Sequence, residues 1–306
     1  MNKLRKAVED YIEMRRSLGY KLLEPAVLLP DFVSFLERKG ASYITIPLAI
    51  EWSQCNRSVQ PAEWARRLTI VRCFARHWSA SDPRTQIPPW GLMPHRPRRA
   101  RPYLYTDAEV LRLLQAAGRL DGLRGRTYHC LFGLLSVTGM RISEALNLQT
   151  QDVDLAEGIL TVRGAKFGKS RLVPIHASTR KVLCNYIQHR DRAFVRKLSY
   201  VFVSKRGNRL DGGEVRRTFY RLSREIGLRG PTASHGPRLH DFRHRLAVRT
   251  LVRWYRSGRD VERRLPVLST YLGHVHVGDT YWYLTACPEL MGLAVKRLEK
   301  RWEGQP

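Results

Sequence analysis

Six prolines, Pro83, Pro88, Pro89, Pro94, Pro97 and Pro102, punctuate one short stretch of the chain, which also carries Arg96, Arg98, Arg99 and Arg101. Each proline fixes its own φ and withholds a hydrogen-bond donor, so neither a helix nor a central strand can run through the stretch. The chain must fold as two bodies joined by a basic connection. We place an N-terminal domain at 1–97, a Pro-rich basic linker at 98–103 and a larger domain at 104–306. The length of 306 residues fits two domains.

The charge balance then narrows the partner. Lys and Arg total 54 against 27 acidic residues, a net charge of +27, and 43% of the residues are hydrophobic. That apolar fraction supports real cores and argues against disorder. The excess positive charge points to a polyanion, and nucleic acid is the commonest. Residues 1–103 hold 18 basic and 9 acidic side chains, the remainder 36 and 18. Both parts are therefore expected to touch double-stranded DNA.

No stretch approaches the about 18 apolar residues of a membrane span, and the N-terminal segment Val8-Glu-Asp-Tyr-Ile-Glu-Met14 is amphipathic where a signal peptide would be apolar. The expected location is the cytoplasm, associated with the nucleoid, with no membrane partner. The five cysteines, Cys55, Cys73, Cys130, Cys184 and Cys287, are odd in number and form no C-x-x-C. Reduced, mostly buried thiols are expected.

The N-terminal domain reads as helices over 4–18, 25–39, 47–56 and 61–79. In the last, Trp64, Leu68, Val71, Cys73, Phe74 and Trp78 share one side, and Pro61 suits its first turn. Arg66, Arg67, Arg72 and Arg76 lie mostly elsewhere and are candidates for phosphate contact, as are Arg98, Arg99 and Arg101 of the linker. The second domain opens with a capping box, Thr106-Asp-Ala-Glu109. Helices are predicted over 123–137, briefly after Gly139, and over 177–192, 212–226, 241–256, 263–272 and 288–302. Two β-rich runs, 158–163 and 171–175, flank Gly164-Ala-Lys-Phe-Gly-Lys-Ser170 as a hairpin, and Val201–Val203 reads as a further short strand. The expected fold is mostly α with a small β-sheet.

Scattered through the second domain are Arg141, Lys166, a His240-x-x-Arg243 pair, His274 and Tyr283. Cleaving a phosphodiester without metal needs cations on the non-bridging oxygens, an in-line nucleophile and an acid for the departing oxygen. Arginine suits the first task because its planar fork never loses its charge. Lysine can give up a proton. Tyrosine can form a covalent ester, which divides one hard step into two and conserves the bond energy for resealing. This chemistry asks for no metal and no cofactor, and none is expected.

The motifs that carry these residues resemble those of the tyrosine recombinase, or phage integrase, family along nearly the whole chain. Thr138-Gly-Met-Arg-Ile-Ser-Glu-Ala-Leu-Asn-Leu148 is similar to its first box, and the resemblance implies that Arg141 is the first catalytic arginine and Glu144 the supporting acid. Arg163 to Pro174 resembles its catalytic hairpin, with Lys166 the acid towards the 5′-hydroxyl. Leu239-His-Asp-Phe-Arg-His244 resembles the second box, with His240 assisting proton removal and Arg243 the second arginine. Tyr271-Leu-Gly-His274 resembles the third, and the family spacing of nine residues selects Tyr283 as nucleophile over Tyr281. The resemblance further implies an N-terminal core-binding domain joined to an α+β catalytic domain, a 3′-phosphotyrosine intermediate, a homotetramer on the DNA synapse, in some cases with related recombinases, and a C-terminal helix over 288–302 that docks on a neighbouring protomer. The wording around Tyr283 resembles mobile-element members. The gap between His240 and His274 is longer than usual, with the extra residues near 254–266 expected as a surface helix or DNA contact.

Blander readings stand beside these. Lys169 and Arg171 are read as DNA-backbone contacts or solvated charges. His235, His244 and His276 are structural or surface residues. Gly164-x-x-x-Gly168-Lys-Ser is one residue short of a P-loop and joins two strands, so it is set aside. His274 and His276 have no Cys, Asp or Glu at metal-ligand spacing. Two other functions share these residues. One is a type IB topoisomerase-like activity. The other is a DNA-binding accessory subunit of a recombinase.

Overall fold

A computed structural model describes residues 3–93, 101–164, 170–233, 235–285 and 287–303. The chain divides into two compact units, Met1–Ala100 and Arg101–Pro306.

The first unit is four helices: α1 (Lys3–Ser17), α2 (Pro25–Arg38), α3 (Ile46–Gln54) and α4 (Pro61–Trp78). Prolines at the first turns of α2, α3 and α4 cost nothing, since those N–H groups have no intrahelical partner. Thr45 also caps α3, its hydroxyl accepting from Leu48 N at 3.4 Å. Val8, Leu29, Phe32, Leu36, Trp52, Leu68, Val71 and Phe74 form the core. Cys73 does not join them; Cys73 and Cys55 are exposed, and of the five thiols only Cys130 and Cys287 are buried. The expectation of mostly buried thiols is corrected accordingly.

The second unit opens with α5 (Asp107–Gly118), and both bonds of its capping box form: Thr106 Oγ1 accepts from Glu109 N at 3.2 Å and Glu109 Oε2 from Thr106 N at 2.8 Å. Next comes α6 (Gly122–Thr138), buried on all sides through Tyr128, Leu131, Phe132, Leu134 and Leu135. It packs against α5, α8 (Ala177–Arg192) and α10 (Asp241–Arg256), and so forms the axis of the main core. Between α6 and α8 lie a short α7 (Ile142–Leu146) and a three-stranded antiparallel sheet. Its strands are β1 (Val153–Asp154), β2 (Ile159–Val162) and β3 (Arg171–Pro174). β2 and β3 pair from Ile159↔Pro174 to Val162↔Arg171, as the hairpin pattern predicts. β1 was not foreseen: two residues show no alternation to read.

Val201–Val203 corrects the sequence reading. It makes only isolated bridges outside the sheet, Gln149↔Tyr200 and Val203↔Arg209. Its first carbonyl is taken by side chains instead: Val201 O accepts from Tyr186 Oη and Arg190 Nη1, each at 3.1 Å. After α8 come α9 (Gly212–Glu225), α10, α11 (Val261–Leu272), a single turn α12 (Gly278–Tyr281), a 3-10 turn (Trp282–Thr285) and α13 (Pro288–Glu303). Residues 254–266 are the end of α10, a connecting turn and the first half of α11, and form no separate helix. A second apolar cluster, with Val248, Leu251, Leu265, Leu268, Leu272 and Leu290, joins α10, α11 and α13 and takes in Tyr283.

Candidate active site

Two helix ends build the site. α6 stops at Gly139 (φ 61°) and α11 at Gly273 (φ 68°), both left-handed. A helix C-terminus leaves carbonyls without intrahelical partners and with partial negative charge. Arginines answer both ends. Arg243, on the first turn of α10, donates Nη1 to Gly139 O at 3.0 Å and Nη2 to Leu272 O at 2.6 Å. Arg141, at the N-terminal edge of α7, donates Nη2 to Gly273 O at 3.2 Å. Helix ends therefore stabilise two guanidinium groups in one place, Arg243 being only 2% exposed. Burial, and Arg141 nearby, lower the Arg243 pKa to about 10, against the raising effect of Tyr283, whose side chain is hydrogen-bonded to it. Arg243 stays charged at neutral pH.

Gly139 is at the joint. A Cβ there would stand 2.8 Å from Leu246 Cδ2 on backbone that L-residues avoid. Gly139→Ala should destabilise the second unit by about 1–3 kcal/mol, read as a lower Tm in thermal melting. An unchanged Tm would mean that the joint relaxes freely.

Glu144 anchors the first arginine. Its Oε1 lies 2.8 Å from Arg141 Nη1 and its Oε2 accepts from Arg141 N at 2.9 Å. Burial alone would raise its pKa, but hydrogen bonds and charge from Arg171, then Arg141, bring it to about 2. Arg171 is corrected by the structure: its guanidinium makes a two-toothed bridge to Glu144 and is no solvated charge.

The histidines complete the cluster. His240 immediately precedes α10; it is exposed, with its ring 4.7 Å from that of His244. Enclosure of the ring and the charges of Arg243, Arg141 and Arg238 lower its pKa to about 4. Because it remains open to solvent, the neighbouring cations are the firmer cause. His274 follows Gly273, its Nδ1 2.8 Å from the Thr280 hydroxyl. Burial, then Arg243 and Arg141, bring it also to about 4. Both rings are neutral at pH 7. Their folded pKa values lie below the ordinary 6.5, so the unfolded chain binds protons first on acidification. DNA-free protein should lose stability as the pH falls from about 6.5 towards 4. Thermal melts across that window check this, and a His274→Gln variant should flatten the dependence.

Tyr283 is 2% exposed, its ring stacked on His274 (centroids 5.9 Å, planes 23° apart) and edge-on to His244 at 5.4 Å. Tyr281 is 51% exposed. The fold thus brings Arg141, Glu144, His240, Arg243, His274 and Tyr283 together. Lys166, Lys169, Arg98 and Arg99 lie outside the described residues. Thr280, which orients His274, was missed as part of the site, and Arg171 was read as a DNA-backbone contact or solvated charge and not as a partner of Glu144. No motif marks Thr280, and Arg171 reads from sequence like any hairpin cation.

The α4 arginines divide. Arg72 is buried, donating to Pro88 O at 2.7 Å and Pro89 O at 2.9 Å, so its place on an open basic face is corrected. Arg66 pairs with Glu63 and Glu24, and Arg67 covers the Trp52 ring at 4.2 Å. Arg76 and Arg101 are exposed. Among the described residues no group of His, Cys, Asp or Glu could hold a metal ion, and no helix is long and apolar enough to cross a membrane.

A helical fold with a small sheet and this cluster of arginine, histidine and tyrosine define an enzyme of the site-specific recombinase class, which cuts and joins DNA strands. Residues 104–289 match the phage integrase family model. The chain is 57% identical over 311 aligned residues to y4rB of Sinorhizobium fredii (strain NBRC 101917 / NGR234), named as an integrase/recombinase, covering 99% of both chains. It is 28% identical to the tyrosine recombinase XerC of Chlamydia caviae, over 90% of this chain and 91% of that one. Among solved structures it resembles the Tn1549 transposon integrase in complex with transposon right end DNA, with TM-score 0.68 and 15% identity over 96% of this chain and 98% of that one. A lambda integrase tetramer bound to a Holliday junction gives TM-score 0.60 and 19% identity, over 89% and 77%. At these identities the two structures speak for the fold. The chain belongs to the phage integrase family, the tyrosine recombinases.

Proposed function

We propose that the protein recombines double-stranded DNA at specific sites through a 3′-phosphotyrosine intermediate, without metal or nucleotide cofactor. The Tyr283 oxygen attacks phosphorus, its proton passing towards neutral His240. The P–O5′ bond breaks, and Lys166 protonates the departing 5′-oxygen. Arg141, Arg243 and His274 hold the non-bridging oxygens and offset the charge that builds on them. A 5′-hydroxyl from the other duplex then attacks the phosphotyrosine, releasing Tyr283 and resealing the strand. The observation that carries the reading is the buried Tyr283 ring stacked on His274, in the cluster that also holds Arg141 and Arg243.

Both units contact the duplex in this reading. Arg76, Arg98, Arg99, Arg101 and Lys169 serve as phosphate contacts, and Arg66 and Arg67 join only by leaving their present partners. Assembly on DNA, as a homotetramer, finds support in α13: Met291, Val295, Leu298 and Trp302 follow helical spacing along one face and are exposed. The wording of the sequence around Tyr283 suits a member carried by a mobile element, acting at the nucleoid.

The test is incubation with a nicked suicide DNA carrying the element's terminus, followed by denaturing electrophoresis. A denaturation-resistant adduct mapping to Tyr283 is expected. Tight binding without any adduct would instead favour an accessory subunit.

A further inference from the structure

Arg171 leads off β3. Its Nη2 lies 2.7 Å from Glu144 Oε2 and its Nη1 3.1 Å from Oε1. Its Nε donates to Tyr271 O at 2.9 Å. A Cβ added at Gly273 would come within 2.8 Å of its Nη1, so the guanidinium lies against the left-handed residue that ends α11. The side chain is 10% exposed. One arginine therefore touches three elements: the hairpin, the acid that anchors Arg141, and the helix end that presents His274.

We infer that Arg171 is a positioning residue for strand cleavage, which ties β3 to Glu144 and the α11 terminus and shares the charge of Glu144 with Arg141. This rests on the phosphotyrosine reading above.

Charge and geometry argue together. Glu144, Arg141 and Arg171 carry a net single positive charge as a group. Without Arg171 the group is neutral, and a buried carboxylate is left with Arg141 alone. Arg141 would then be drawn to Glu144 and away from a phosphate. A planar fork is needed to reach both carboxylate oxygens and the Tyr271 carbonyl at once, which lysine cannot do. β3 would also lose its tie to α11, which holds the start of the strand beside Glu144. Displacement of about 1 Å at a reacting centre can cost on the order of 10²-fold in rate.

The experiment measures single-turnover adduct formation on suicide DNA at saturating protein, with DNA affinity and Tm recorded for each variant. Arg171→Ala should slow cleavage about 10²-fold with affinity for DNA retained. Arg171→Lys should recover only part of the rate. Adding Glu144→Gln to Arg171→Ala should restore some of the lost rate, because the amide no longer competes for Arg141. A role in folding alone would lower Tm and adduct yield together and leave the rate per folded molecule at the wild-type value, which would overturn the inference. Should Arg171→Ala fail to fold, Arg171→Lys decides: cleavage at the wild-type rate would overturn it equally. Wild-type protein that forms no adduct removes the underlying reading itself, whereas a wild-type adduct matched by both Arg171 variants removes only this inference.

Discussion

Tyr283→Phe should abolish covalent capture of nicked DNA, while Tyr281→Phe should leave it intact. The two tyrosines are two residues apart, but the fold treats them differently. Tyr281 ends α12 facing solvent, half of its surface open. Tyr283 turns inward, with its side chain on Arg243 and its ring against His274 and His244. An attacking oxygen needs cations at the phosphate it approaches, and Tyr283 lies beside Arg243 whereas Tyr281 faces solvent. Removing one buried hydroxyl hardly changes packing, so the phenylalanine variant should fold and bind DNA, and a gel-shift assay beside the adduct assay checks this. Capture by Tyr283→Phe and none by Tyr281→Phe would move the nucleophile to Tyr281.

Arg243→Ala should carry the other large effect, on rate and stability together. Its guanidinium satisfies two helix-end carbonyls, Gly139 O and Leu272 O. Each carbonyl left buried without a partner costs about 1–3 kcal/mol, so a clear drop in Tm is expected. Loss of one preorganised charge at the phosphate costs about 10²–10³ in rate. Measuring adduct formation well below the variant's Tm separates the two. Arg243→Lys should keep the charge but not both carbonyl bonds, and should recover little of the rate. A variant with lowered Tm and wild-type cleavage would leave Arg243 a purely structural residue.

The motifs legible in the chain were those whose chemistry is local: an arginine three residues before a glutamate, His240-x-x-Arg243, a Gly-His pair. Their mutual arrangement was not legible, because it depends on two helix ends meeting. Arg72 and Arg171 show why charge alone misleads. In sequence each is a cation beside other cations. In the fold one reaches the carbonyls of Pro88 and Pro89 and the other a buried carboxylate. Val201–Val203 failed as a strand for a related reason: side chains from α8, Tyr186 and Arg190, take the Val201 carbonyl that a ladder would use.

By itself the chain's order of residues determined the helical character of both parts, the β2–β3 hairpin and the residue types gathered at the candidate site. All of these follow from local rules: proline withholding donors, apolar spacing, caps and left-handed glycines. Only the tertiary structure decided which arginines are spoken for, that Thr280 orients His274, and that Tyr283 rather than Tyr281 lies on the cations. Several of those outcomes hang on contacts between distant segments, 100 residues for Arg171 to Tyr271 and 132 for Arg141 to Gly273, where no local rule of the backbone reaches.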